Sequence, residues 1–177
     1  MKLYIYLATE RSEDMKLLED EIKKRLFNFH LAEIGRTCNM LELTCCLSKD
    51  EGDISEVWHI QSPFRILYDN HIMTSDRDMY IPHNKDDETF AYYSSKRNSE
   101  FDFIVNNKIH FINDIIVTNV TISPYGDASI EMQYNHSVLK VECFNNASAD
   151  DDENWRFFRH HSAIPHIVCY KNNIVKE

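Results

Sequence analysis

A chain of 177 residues with 43% hydrophobic and 27% charged side chains can fill a packed core and lacks the composition of a disordered segment. Its 29 acidic and 19 basic residues leave a net charge of −10, which disfavours ordinary nucleic-acid binding, because counterion release needs a basic surface, and suits a basic partner. With only 3 glycines, no glycine-rich phosphate loop or dinucleotide fingerprint occurs.

Residues 3–7 form a short apolar run that reads as a strand and meets Glu10, Arg11, Glu13 and Asp14 at once. A signal peptide needs a longer apolar stretch, and no window reaches the length of a membrane span. The expectation is a cytoplasmic protein with no membrane partner. Cys38, Cys45, Cys46, Cys143 and Cys169 are odd in number and irregular in spacing, a poor disulfide framework, so reduced thiols are expected.

Residues 12–31 read as an amphipathic helix. Met15, Leu18, Ile22, Leu26 and Phe29 fall on one face, and Ser12 suits the N-cap. Glu19–Lys23, Asp20–Lys24 and Glu21–Arg25 are three acid-to-base pairs at i, i+4. After about residue 38 the chain reads as strands and turns, with short β-favouring runs over 40–47, 57–61, 64–68 and 71–74. Residues 108–123 suggest one bent strand or two short ones.

Pro124, Tyr125 and Gly126 then signal a tight turn. Ile130, Met132 and Tyr134 alternate with Ser129, Glu131 and Gln133; Leu139, Val141 and Cys143 alternate with Lys140 and Glu142. This predicts a three-strand antiparallel meander with one wet face. Residues 166–170 read as the last strand, and 155–159 as an aromatic segment packed against the sheet, with Arg156 on a carboxylate or carbonyl. The fold class is therefore α+β: one domain over residues 1–177, its N-terminal helix packed on a mostly antiparallel, twisted sheet.

The densest titratable group, His160, His161 and His166 with Cys169, invites a metal reading. Its spacing lacks the two separated ligand pairs usual for zinc, so no metal or cofactor is expected. No nucleophile elbow or similar motif marks an enzyme. The acidic clusters are more informative: Asp50, Glu51, Asp53 and Glu56; Asp86, Asp87 and Glu88; Asp150, Asp151, Asp152 and Glu153. Each reads as a loop. Together they would steer a basic protein partner and imitate the phosphates a nuclease expects.

Several segments, taken in order, resemble a family of small bacterial proteins. They are Ile34-Gly35-Arg36 with Asn39-Met40-Leu41; residues 58–66, from Trp58 through Arg65; residues 75–82, from Ser75 to Pro82; Glu100-Phe101-Asp102; Gly126-Asp127; residues 139–144; residues 153–158 with Trp155-Arg156-Phe157-Phe158; and Pro165-His166-Ile167-Val168. The set resembles the immunity-type proteins found beside polymorphic toxins, including those of contact-dependent growth inhibition. The resemblance implies a stoichiometric inhibitor of a cognate toxin domain, often a nuclease, with Arg65, Trp155, Arg156 and Phe157 as core and support residues; the expected substrate of that nuclease is RNA, with DNA as the second choice. Glu42 and His160-His161 depart from the pattern, and the N-terminal helix lies outside it. Two alternatives stay open: a nucleic-acid mimic that inhibits a host defence nuclease, and a small metal-dependent hydrolase using the histidine group.

Overall fold

A computed structural model describes residues 2–47, 54–94, 96–109, 114–171 and 173–177, with the backbone alone over residues 2–12. Helix α1 spans Lys2–Leu26. The run at 3–7 continues it rather than forming a strand, and Ser12 lies inside it rather than at its cap. Met15, Ile22 and Leu26 are buried, as their spacing requires. The helix ends where Asn28 takes the left-handed conformation (φ 63°), which asparagine tolerates better than most residues. Phe29, expected on the helix, instead precedes the first strand.

Among the described residues eleven strands form one antiparallel sheet: β1 His30–Thr37, β2 Met40–Cys46, β3 Ser55–Ile60, β4 Phe64–Tyr68, β5 His71–Ser75, β6 Ile116–Ile122, β7 Ala128–Tyr134, β8 Ser137–Cys143, β9 Glu153–Arg159, β10 Ile167–Tyr170 and β11 Ile174–Lys176. The order is β11-β10-β9-β3-β2-β1-β6-β7-β8-β4-β5. The expected meander is β6-β7-β8. The aromatic segment is itself a strand, β9, and β11 follows the run read as the last one.

A second helix, α2 (Glu100–Lys108), was missing from the sequence reading. Ser99 and Asp102 form a capping box at its start, and Phe101, Ile104 and Val105 bury the i, i+3, i+4 face. Lys108 therefore ends a helix and begins no strand.

Register explains the core. Leu41, Leu43 and Cys45 alternate inward on β2, while Met40, Glu42, Thr44 and Cys46 face out. Across β2, β3 and β9 the inward residues align in rows: Leu41–Ile60–Trp155, Leu43–Trp58–Phe157 and Cys45–Glu56–Arg159. The Trp58 ring lies 5.1 Å from both Trp155 and Phe157, tilted to each, and all three side chains are fully buried. Burial pushes the thiols of Cys45 and Cys143 up to about 12, so both behave as small hydrophobes.

Two halves of the sheet meet at a narrow seam. β1 and β6 share the single pair His30–Ile116, flanked by backbone hydrogen bonds from Leu31 to Ile115 and from Val117 to Phe29. Helix α1 packs along β6, and Glu19 accepts a hydrogen bond from the Ile122 amide at 2.7 Å. The halves also meet at the β6–β7 turn, where the Gly126 carbonyl accepts from Trp155 Nε1 at 2.8 Å. Both inner faces contribute to one hydrophobic cluster.

The third row is charged. Glu56 is fully buried and accepts from Arg25 (Nε 3.1 Å, Nη2 2.5 Å) and from Arg159 (Nε 2.9 Å, Nη2 2.7 Å). The Arg25 guanidinium also lies 4.3 Å from the centre of the Phe157 ring. Among the three i, i+4 pairs expected on α1, Glu19–Lys23 forms at 2.7 Å. Glu21 pairs instead with Lys176, and Arg25 turns inward to Glu56.

Two substitutions test this framework. Glu56→Ala leaves two guanidiniums without their carboxylate and should cost about 3–5 kcal/mol in urea unfolding. Gly126 has φ +88°, and an added Cβ would sit 2.7 Å from Cys169 Sγ and 2.8 Å from Asn145 Nδ2. Gly126→Ala should therefore lose more than the roughly 1–2 kcal/mol of a left-handed residue alone.

Candidate functional site

The strongest surface feature is built on a buried ion pair. Arg36, only 4% exposed at the end of β1, donates to both carboxylate oxygens of Asp102 on α2, from Nε at 2.9 Å and from Nη2 at 2.7 Å. Its Nη1 donates to the carbonyls of Cys38 (2.8 Å) and Tyr92 (2.5 Å). Ser99 Oγ donates to the same carboxylate at 2.6 Å. Burial alone would raise the Asp102 pKa; the hydrogen bonds from Arg36 and Ser99 outweigh it and hold the carboxyl below its ordinary value.

One guanidinium thus ties together the β1–β2 turn, α2 and the connection between β5 and α2. That connection opens with a 3-10 turn (Asp76–Tyr80) and runs on to Ser99. Its ends are closed by the Pro82–Ser99 bridge and by the bond from the Glu100 amide to the Ile81 carbonyl at 2.8 Å. Further along, His83 stacks on Phe103 with ring centres 3.6 Å apart.

The pinned connection carries a cluster of tyrosines. Tyr80 and Tyr92 have ring centres 5.0 Å apart, and Tyr92 and Tyr93 5.3 Å. They are 46%, 40% and 68% exposed, and Ile81 beside Tyr80 is 46% exposed. Large apolar bodies with polar tips, held on an ordered backbone, are the material of protein-binding hot spots, because little side-chain entropy is lost on contact. Sequence reasoning does not mark these tyrosines as protein-binding anchors; with few basic neighbours, Tyr92 and Tyr93 read only as a poor stacking platform for bases. The available signal was their density, with three in fourteen residues beside an acidic cluster.

The acidic residues have unequal fates. Asp50, Glu51 and Asp53 lie outside the described residues. Glu56 is corrected outright: it is a strand residue, fully buried between two arginines, and presents nothing to a partner. Asp86 and Glu88 are exposed on the tyrosine-bearing connection. Asp87 closes that connection, accepting from Thr89 Oγ1 at 2.7 Å and Asn98 Nδ2 at 2.6 Å; these bonds keep its pKa low. Asp150 and Asp151 are exposed between β8 and β9. Asp152 accepts from the amide of Ala149 and the hydroxyl of Ser148, both at 2.9 Å. Glu153 opens β9 and binds Arg156 at 2.7 Å.

Register places Thr37 and Met40, Gln61, and Glu153 at one end of neighbouring strands. The connections bearing Asp86 and Asp150 therefore share that end of the sheet. Glu56 lies towards the opposite end of β3, paired with Cys45, so the described acids do not all share one end.

The histidine group divides as well. Cys169 faces the inner side of the sheet beside Trp155 and Gly126, whereas His166 lies on the outer side with Phe158. Among the described residues no group of three His, Cys, Asp or Glu side chains could hold a metal ion. The outer side of β3, β9 and β10 instead gathers rings around Phe158: His59 at 4.8 Å, His166 at 4.8 Å and His160 at 5.7 Å. Arg156 Nη1 donates to His166 Nδ1 at 3.0 Å, which requires that nitrogen to be unprotonated. Burial lowers the pKa of both His59 and His166, and Arg156 lowers that of His166 further.

Two residues that the resemblance marked as core and support are surface ion pairs. Arg65 binds Glu142 at 2.6 Å and Arg156 binds Glu153, both on the outer face, whereas Trp155 and Phe157 are fully buried. No described helix is long and apolar enough to cross a membrane. No family model matches the chain, and no curated protein or solved structure is significantly similar to it.

Asp102→Asn should speed amide hydrogen exchange at residues 96–100 and at Tyr92 before it affects β7 and β8, because the anchored connection loses its charge partner. Unchanged exchange there would separate the tyrosine cluster from the ion pair. For the histidines, the fold prefers the neutral ring. Their contribution is therefore complete above the ordinary value of 6.5 and is lost as pH falls through it towards the lower folded values. The urea midpoint should drop between pH 7.5 and pH 5.5, and His166→Asn should flatten part of that drop.

Proposed function

We propose that this protein is a binding module of the immunity type, which neutralises a cognate toxin domain by occupying a basic substrate cleft. A nuclease acting on RNA is the toxin class that fits best. The observation that carries the reading is the tyrosine cluster, pinned through Arg36 and Asp102 and flanked by the exposed acids Asp86 and Glu88.

Tyrosines 92 and 93 supply amphipathic anchors that insert and exclude water, while the acids at the same end of the sheet attract a cationic cleft. The net charge of −10 and the ordered resemblance to immunity proteins support the same reading. A contact of standard size, about 1,600 Å² in total, needs only this end of the sheet and its connections. Inhibition is then steric and stoichiometric: nucleic acid and inhibitor compete for one basic surface, and no bond is made or broken. Asp87 and Asp152, already engaged in closing their own loops, fix the shape of that surface.

The test begins with co-expression of the tagged protein with the products of its neighbouring genes. A basic companion that is lethal alone and recovered in 1:1 ratio is expected. Against it, Tyr93→Ala and Tyr92→Ala should each raise Kd by about 10- to 100-fold, chiefly through faster dissociation. Asp86→Asn with Glu88→Gln should slow association several-fold at low salt and little at high salt. A companion bound with equal affinity by the tyrosine variants would overturn the proposed site, and harmless neighbours that never co-purify would overturn the function.

A further inference from the structure

The connection from β9 to β10, residues 160–165, is fastened at its two ends. At one end the His160 amide donates to the Ser55 carbonyl at 3.0 Å. At the other, His166 and Glu177 exchange backbone hydrogen bonds at 2.8 and 3.0 Å. Between these ends the described hydrogen bond is a local one, from the Ile164 amide to Ser162 Oγ at 3.1 Å. His160, His161, Ala163 and Pro165 are exposed. Whatever holds the ends therefore decides whether the connection stays closed.

The His166 side chain adds a further hold. Its ring stacks on Phe158 with centres 4.8 Å apart, and its Nδ1 accepts from Arg156 Nη1 at 3.0 Å. A proton on that nitrogen would set two donors, and two positive charges, against each other. The charged groups around the ring are Arg156 and Glu153 on β9, Glu177 beyond β11, and Arg25 reaching over from α1. His59 of β3, 3.7 Å from Glu42 of β2, and His160 of the connection border the same Phe158 ring. The two carboxylates nearest His166 favour a charged ring, but both are already turned to other partners. Glu153 binds Arg156 at 2.7 Å, and Glu177 accepts from the Tyr170 hydroxyl at 2.6 Å and lies 3.8 Å from Arg156. Burial, then Arg156 and Arg25, hold the folded ring below its ordinary value of 6.5.

We propose that His166 is a proton-operated latch: the neutral ring keeps residues 160–165 closed on β9, and the protonated ring leaves Arg156 and Phe158 and lets them open. Opening loosens the Glu177 pair at the end of β11 and uncovers the Phe158 ring. The latch holds above the ordinary value of 6.5 and gives way as pH falls through it towards the lower folded value. The stability lost in acid is thereby concentrated in one connection, and the buried row of Trp58, Trp155 and Phe157 takes no part in it. The latch is separate from the tyrosine cluster and does not depend on the proposed function.

Amide hydrogen exchange at pH 7.5 and pH 5.0, with rates divided by those of an unstructured chain, tests the latch. Protection of the hydrogen-bonded amides of His160, Ile164, His166 and Glu177 should fall by about tenfold at the lower pH, while β7 and β8 keep theirs. His166→Asn places an amide oxygen where Nδ1 stands and cannot titrate, so its protection should be the same at both pH values. His59→Gln removes the other histidine in contact with Phe158 from titration and should leave the response intact. Nitrogen-15 shifts of the native His166 ring should show Nδ1 unprotonated at pH 7.5. A proton on Nδ1 at that pH, a loss spread evenly over the sheet, a response retained by His166→Asn, or one abolished by His59→Gln would each overturn the proposal.

Discussion

The Arg36–Asp102 pair organises this molecule well beyond its own hydrogen bonds. Five donor contacts from one guanidinium join a β-turn, a helix N-terminus and the middle of a long connection. Such a pair is not a large source of net stability, because both charges surrender their water to form it. What it supplies is position. With Arg36 in place, the carbonyl of Tyr92 has one location, and the exposed rings around it inherit a fixed geometry. A connection of this length would otherwise sample many shapes and lose entropy on meeting a partner.

The second buried charge group, Glu56 between Arg25 and Arg159, does related work in another part of the fold. It occupies a core row beside the rows led by Trp58 and Ile60. There it fastens α1 to β3 and β9 across the face of the sheet. The helix also packs along β6 away from the His30–Ile116 seam, and at the far end of that strand Glu19 accepts the Ile122 amide. An N-terminal helix docked by one buried carboxylate and one borrowed acceptor closes a sheet whose two halves share a single residue pair. The two ends of the sheet consequently differ. One carries the tyrosines and exposed acids, and the other carries the exposed apolar side chains of Leu17, Phe27, Leu47 and Ile54.

Several of the family-like segments turn out to be partners of one another. Arg36 meets Asp102, Trp155 meets the Gly126 carbonyl, and Phe64 packs edge-on against Phe101 at 5.9 Å. Each half of such a contact is of use only with the other. These pairings concern the frame. Apart from Tyr80, the tyrosines that the frame displays and the acids Asp86 and Glu88 lie outside those segments.

How much was legible beforehand depended on whether local pattern or distant contact decided the outcome. Alternation alone placed β7 and β8, because the side-chain period of a strand is fixed by its backbone. Helical spacing likewise placed the buried face of α1, though not its start. Helix α2 was legible in principle from Ser99 and Asp102, a capping box that was overlooked amid polar residues. Other features were settled only in three dimensions. Glu56 reads as one more loop acid until Arg25 and Arg159 arrive from 31 and 103 residues away. Glu21–Arg25, a sound pair on an isolated helix, yields to stronger partners for the same reason. Composition determined that the chain would fold with an acidic surface. Only the tertiary structure decided which acids remain on that surface, because a carboxylate's role is set by the charges brought against it and not by its neighbours in sequence.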